Sequence, residues 1–265
     1  MKWRDVNGVS LRYELSGAGA QTVVLVHELG GSLDSWDETL PAFQQHFRTL
    51  RHDQRGFGQS EKVSGTLALD DMVADMAALL DALAIKQPCY VIGSALGAGI
   101  AAAFAARHPS RVSRLVIQSL VTRSNPATRP HMMARAAEVE RTGMRAQAQA
   151  SLDRSYPEVL RAGGENERER FETYRARWIA NDPQSFAAIN RMLLDMNVDP
   201  ELSKIACPTL SIGCKHDSMR TPAMVKELST LIPGASYVEA DSGHFMHAQS
   251  PDLFAQTVIP FLRKS

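Results

Sequence analysis

No stretch of this chain approaches the roughly 20 consecutive apolar residues that a membrane-spanning helix needs. The residues after Met1 hold no apolar segment that could act as a signal peptide. An excess of basic residues is missing too: Lys+Arg and Asp+Glu both total 29. That balance excludes the electrostatic footprint of a nucleic-acid or membrane-surface binder. Cysteine is sparse, and Cys89, Cys207 and Cys214 form an odd set without metal-type spacing, so a reducing, cytoplasmic setting is expected. No dinucleotide or phosphate-loop glycine pattern follows a strand-like run. His244 and His247 stand three apart without a carboxylate at metal-site spacing. The expectation is therefore no cofactor and no metal, with a small-molecule substrate as partner and neither nucleic acid nor membrane. Self-association stays open.

What is present reads as one large domain, or a core with a modest insertion, in 265 residues of which 44% are hydrophobic and 22% charged. Two alternating runs, Trp3–Val6 and Val9–Leu15, flank Asn7-Gly8, the pair most suited to a tight hairpin. Thr22–Val26 is then a continuous apolar run, as a strand buried on both faces requires. Similar runs fall at Tyr90–Ile92, Val112–Ile117 and Thr209–Ile212, with shorter strands at Arg48–Arg51 and Ser236–Glu239. Helical periodicity lies between them. Leu69, Val73, Met76, Leu79, Leu80 and Leu83 share one face, and Asp70, Asp71, Asp75 and Asp81 lie largely on the other. An alanine-rich helix over Ala98–Arg107 stops at His108-Pro109, and Ser250-Pro251 opens a last helix that Pro260 should bend or break. Alternation of this kind predicts a largely parallel sheet between helical layers.

Residues 125–202 break the rhythm. They carry no strand pattern and predict helices over His131–Leu152, Glu165–Asn181 and Ser185–Asp195. A helical block between two buried strands reads as a lid over the carboxyl edge of the sheet, so 1–124 and 203–265 form the core. The lid's arginines are matched by about as many carboxylates, which points to paired helix surfaces rather than an anion clamp and leaves room for one or two arginines facing the pocket. Met132, Met133, Met192 and Met196 read as packing.

Four segments carry chemistry. His27-Glu28-Leu29-Gly30-Gly31-Ser32 follows the first buried strand, and its backbone N–H groups either serve a developing oxyanion or simply turn the chain. Asp53–Ser60 is a glycine turn that Asp53 and Arg55 can tie. Gly93-Ser94-Ala95-Leu96-Gly97 is a strand running into a small-residue helix, the setting of a G-x-S-x-G nucleophile elbow, but its apex is Ala95. Ser94, one residue earlier, should point toward the core side of the turn, and the Leu96 N–H remains a candidate oxyanion donor at the helix start. Last come Asp217, after the strand Thr209–Ile212, and His244 in a loop after the final strand, in the order of an acid and the base it orients.

Together these segments resemble the α/β-hydrolase superfamily, over nearly the whole chain. Within it the chain is most similar to the 3-oxoadipate enol-lactonase-like group, on the stretch Ala136–Tyr156 with Arg141-Thr142-Gly143-Met144 and on the ending Gly243–Asp252. The resemblance implies an α/β fold with a mostly parallel eight-stranded sheet, flanking helices and a helical lid. It implies a cytoplasmic hydrolase of a small ester, lactone or amide, with residue 95 at the nucleophile position, His244 as general base and acid, Asp217 as its partner, and the N–H groups of Leu29 and Leu96 as the oxyanion hole. His27, Glu28, Ser94 and Met246, next to these positions, are candidate pocket residues. Two departures stand out: Glu28 where the family loop has glycine, and Ala95 where it has serine. Ala95 is either an introduced Ser→Ala replacement or a natural loss. In both cases covalent hydrolysis should be severely impaired. The competing reading is a non-hydrolytic ligand binder, or a cofactor-free lyase working through His244 and Glu28.

Overall fold

Asn7 and Gly8 both adopt positive φ (46° and 73°), so the chain turns back in two residues and Val6 pairs with Val9. This hairpin, β1 (Lys2–Val6) and β2 (Val9–Ser16), forms one edge of an eight-stranded sheet in the computed structural model, which describes residues 1–264. The order is β1-β2-β4-β3-β5-β6-β7-β8, with β3 Thr22–Val26, β4 Arg48–His52, β5 Cys89–Ser94, β6 Val112–Gln118, β7 Thr209–Cys214 and β8 Ser236–Ala240. The β1-β2 and β2-β4 pairings are antiparallel, and every pairing from β4 to β8 is parallel. Each residue of β3 and of β7 is buried, which is why neither strand shows the alternation of a half-exposed one.

Helices cover both faces: α1 Leu40–Gln44, α2 Leu69–Ala82 and α3 Leu96–Arg107 come before β6, and α9 Pro222–Ser229, α10 Met246–Gln249 and α11 Pro251–Leu262 come after β7. Between β6 and β7 stand α4 Arg129–Thr142, α5 Arg145–Ser155, α6 Glu165–Ile179, α7 Pro183–Asp195 and α8 Asp199–Leu202. This insertion closes on itself where Arg123 bridges Asn197 and the Val198 N–H donates to the Thr122 carbonyl at 2.8 Å. No helix among the described residues is long and apolar enough to cross a membrane.

Three local expectations need correction. The helix expected over His131–Leu152 is two helices, because Gly143 takes φ 81° and ends α4. The last helix continues through Pro260 to Leu262, since a proline so near the C-terminus removes little of the hydrogen-bond ladder. Asp75 is buried rather than solvent-facing. It receives the Arg55 guanidinium at 2.5 and 2.6 Å and the Asn7 amide at 3.2 Å, so Arg55 ties α2 to the turn after β4 instead of closing that turn on Asp53. Asp53 accepts the N–H groups of Leu33 and Gln59 at 2.6 and 2.7 Å and meets the Arg12 guanidinium at 3.3 Å.

His52, at the end of β4, is 3% exposed, and its Nδ1 has no partner. Burial, with a smaller contribution from His27, pushes its pKa down to about 3. The unfolded chain protonates this ring near 6.5, so between about pH 6.5 and 3 it binds more protons than the fold and stability falls with pH. Denaturant midpoints should therefore drop from pH 7.5 to 5, with His52 contributing about 2 kcal/mol of the loss. In His52→Gln the slope over that interval should be visibly shallower.

Candidate active site

Four loops meet at the carboxyl ends of parallel strands, after β3 and β5 on one side of β6, and after β7 and β8 on the other. The loop after β5 is the tightest. Ala95 joins β5 to α3 at φ 51° and ψ −111°, a conformation L-residues rarely adopt. Its N–H donates to the Gln118 carbonyl at 2.9 Å, and its carbonyl accepts from Ala98 and Gly99 in the first turn of α3. The flanking glycines are steric necessities. A Cβ on Gly97 would collide with the Val26 carbonyl oxygen and stand 2.5 Å from that of His27, and one on Gly93 would collide with the Gly97 carbonyl and stand 2.6 Å from the Ala98 Cα. This is the geometry of a nucleophile elbow, carried to its apex by a methyl group.

His244 and Asp217 come together from the loops after β8 and β7. The His244 Nδ1 lies 2.7 Å from the Asp217 Oδ2, and the other carboxylate oxygen accepts the N–H groups of Met219 and Arg220 at 2.9 Å each. Burial raises the Asp217 pKa, but the facing imidazole and the donated N–H groups outweigh it and hold the acid below its ordinary value. An ionised carboxylate only accepts, so Nδ1 carries the proton and the Nε2 lone pair is left for the cavity. Asp241 is engaged elsewhere, with His216 at 2.7 Å and Lys215 at 3.5 Å.

Ala95, Leu96, Leu29 and His244 line one cavity of about 440 Å³. Among the hydrogen bonds of the described residues, neither the Leu29 nor the Leu96 N–H has a protein acceptor. Helices α4 to α7 supply much of the remaining wall, including Arg135, Ser151, Tyr174, Trp178, Phe186 and Asn190.

The four candidate pocket residues lie elsewhere. His27 is fully buried, its Nδ1 2.8 Å from the Glu28 carbonyl and its Nε2 accepting the Gln54 N–H at 3.0 Å, so it is a neutral Nδ1–H tautomer that fixes the loop. Ser94 points to the core side and donates to the Gln118 Oε1 at 2.7 Å. Met246 packs in the core against Trp36 and Phe254. Glu28 turns beneath its loop, where it meets His247 at 3.2 Å and Ser35 at 2.9 Å. His27, Glu28 and Ser94 are held inward by these hydrogen bonds and Met246 by apolar packing, away from the edge.

Two features escaped sequence reasoning. Gln118, at the end of β6, links the elbow to the histidine loop through Ser94 and the His244 carbonyl, the latter at 2.9 Å. Arg135, Arg154 and Arg220 line the cavity, and no Asp or Glu does. Counting charges concealed this, because several of the lid's other arginines are paired outside: Arg129 with Asp195, Arg161 with Asp153, Arg191 with Glu140. Arg135 donates to the Ser151 hydroxyl at 3.0 Å, lies 5.6 Å over the Phe186 ring and leaves its Nε without a partner. Burial, then Arg154, lower its pKa to about 10, so it stays charged at neutral pH. The available signal was its position on the helix face of Met132 and Val139.

A sequence model described as alpha/beta hydrolase fold matches residues 21–251. A provisionally named carbamate hydrolase, RutD, of Pantoea ananatis is 29% identical over 252 residues, 93% of this chain and 90% of that protein. The pyrrolizixenacetamide deacetylase of Xenorhabdus hominickii is 25% identical over 261 residues, 97% of this chain and 96% of that protein. The crystal structure of the enol-lactonase from Burkholderia xenovorans LB400 superposes with a TM-score of 0.91 at 31% identity, covering 99% of this chain and all of that one (100%).

The close approach at the elbow makes a measurable claim. Gly97→Ala should cost at least about 2 kcal/mol of stability, since the methyl group meets backbone that cannot yield without displacing β3. Urea unfolding of the variant beside the parent chain checks it; an unchanged midpoint would contradict the packing.

Proposed function

Since the chain belongs to the α/β-hydrolase fold family, we propose that its site is that of a serine-type hydrolase acting on a small, negatively charged ester, lactone or amide, with residues 125–202 as its cap. In the present sequence Ala95 deprives it of the nucleophile. The observation that carries this reading is the intact pair His244–Asp217 beside an elbow whose backbone keeps its strained form (φ 51°) around alanine. With serine at 95, the hydroxyl would attack the carbonyl carbon while His244 Nε2 takes its proton. The N–H groups of Leu29 and Leu96 would receive the oxyanion, and His244 would return the proton to the departing oxygen or nitrogen. Water, deprotonated by the same histidine, would then release the acyl group.

The arginine-lined, carboxylate-free cavity supports an anionic substrate. The relatives' named activities (a carbamate, an acetamide and an enol lactone) support hydrolysis of a small acyl compound without choosing among them. A lyase that used Glu28 beside His244 gains no support, because that carboxylate lies under the loop with His247. A cytoplasmic setting accords with three free thiols, of which Cys89 and Cys214 are buried.

Ala95→Ser should raise p-nitrophenyl acetate hydrolysis by about 10⁴-fold, and adding His244→Ala should abolish the gain. Equal rates with and without the serine would overturn the hydrolase reading. The chain as it stands tests the charge preference, because it binds an ester without cleaving it. By calorimetric titration, monomethyl glutarate should bind about 10-fold tighter than dimethyl glutarate, and Arg135→Leu should erase most of that difference.

A further inference from the structure

Glu28 and His247 lie 219 positions apart and meet in the interior, each side chain with no exposed surface. Glu28 is the second residue of the loop after β3 and directly precedes Leu29, whose N–H that loop presents. His247 stands on α10, three residues past His244. The pair therefore spans the two loops that would hold the oxyanion and the base.

Both partners are held by further contacts. The Glu28 carboxylate accepts the Ser35 hydroxyl at 2.9 Å through one oxygen and faces the His247 Nε2 at 3.2 Å through the other. It lies directly under Gly31, where any Cβ would stand 2.5 Å from the carboxyl carbon, so a side chain at that position would have to displace the carboxylate. The His247 ring stacks on Trp36 at 4.1 Å between centroids and 30° between planes. Because the carboxylate only accepts, His247 donates from Nε2, and its Nδ1 has no protein partner. From above, Asn181, just past the end of α6, donates to the Gly30 carbonyl at 2.8 Å, and Arg177 on α6 donates to the Asp34 carbonyl at 2.9 Å. The loop is thus pinned from the cap side, while Glu28 ties it from beneath to the segment carrying His244.

A carboxylate desolvated this completely is costly unless it is paired, and the same burial makes its geometry stiff. We infer that Glu28 and His247 form a positioning pair, which sets the distance between the Leu29 N–H and the His244 ring without touching the substrate. The inference rests on the hydrolase reading of the site. Separation of those two groups governs transition-state stabilisation more than ground-state binding, so breaking the brace should appear in kcat rather than KM.

The test uses the Ala95→Ser chain and adds Glu28→Ala, Glu28→Gln or His247→Phe, the last keeping an aromatic ring against Trp36. Glu28→Ala and His247→Phe should each lower kcat by about 10–100-fold with KM within about two-fold. Glu28→Gln, which keeps the shape and an acceptor, should recover most of the loss. A kcat unchanged in both disrupting variants, or a loss carried by KM, would overturn the proposal. If Ala95→Ser itself proves inert, the hydrolase reading fails separately, and the brace is then read in the chain as it stands by NMR. His247→Phe, remote in sequence from residue 29, should shift the Leu29 amide resonance, and Glu28→Ala should shift the His244 ring. Shifts confined to each variant's own loop would overturn it.

Discussion

At the junction of β5 and α3 the chain reverses around a single residue, and it can do so only because nothing projects from positions 93 and 97. Gly97 lies against the carbonyls of Val26 and His27, and Gly93 lies against the first turn of α3. That contact fixes the start of the helix relative to β3, and with it the loop that follows β3. The Leu96 N–H, the Leu29 N–H and the side chain at 95 are consequences of the same backbone packing. Alanine at the apex still carries the backbone strain of a left-handed residue, of order 1–3 kcal/mol. The fold bears that cost whether or not a hydroxyl is there to use it.

Two buried carboxylate–imidazole pairs sit within a few residues of each other, and their surroundings assign them different work. Asp217 and His244 stand at the sheet edge, where the ring's second nitrogen faces a cavity. Glu28 and His247 are enclosed by Trp36, Ser35 and the loop backbone, with no route to a ligand. In both pairs burial raises the carboxyl pKa and the imidazole outweighs it, leaving the acid below its ordinary value. Access to the cavity is what distinguishes the two pairs.

Much of the fold was legible because its signals are local. Thr22–Val26 is apolar throughout since both faces are covered, and Asn7-Gly8 permits the two positive φ angles that a two-residue hairpin requires. The spacing of Gly93 and Gly97 and the order Asp217…His244 were readable for the same reason. What could not be read depends on partners distant in sequence. Asp75 looked solvent-facing until Arg55 and Asn7 were brought to it. Glu28 stood beside the oxyanion position in sequence, yet its carboxylate turned to a histidine 219 residues away. Arg135 was hidden among arginines such as Arg129 and Arg191, whose carboxylate partners lie on another helix where no periodicity reveals them.

The small bridge between Arg123 and Asn197 brings the two ends of the α4–α8 insertion to one point beside the sheet. A segment that leaves and returns at the same place imposes no shift of register on β6 or β7, so its length and helix packing can vary without moving the strand ends that carry Ala95, Asp217 and His244. The residues that would discriminate among ligands and the residues that would do chemistry thus lie on parts of the chain free to diverge at different rates. A lineage built on this frame can change what it accepts by redrawing one excursion while the sheet beneath it stands still.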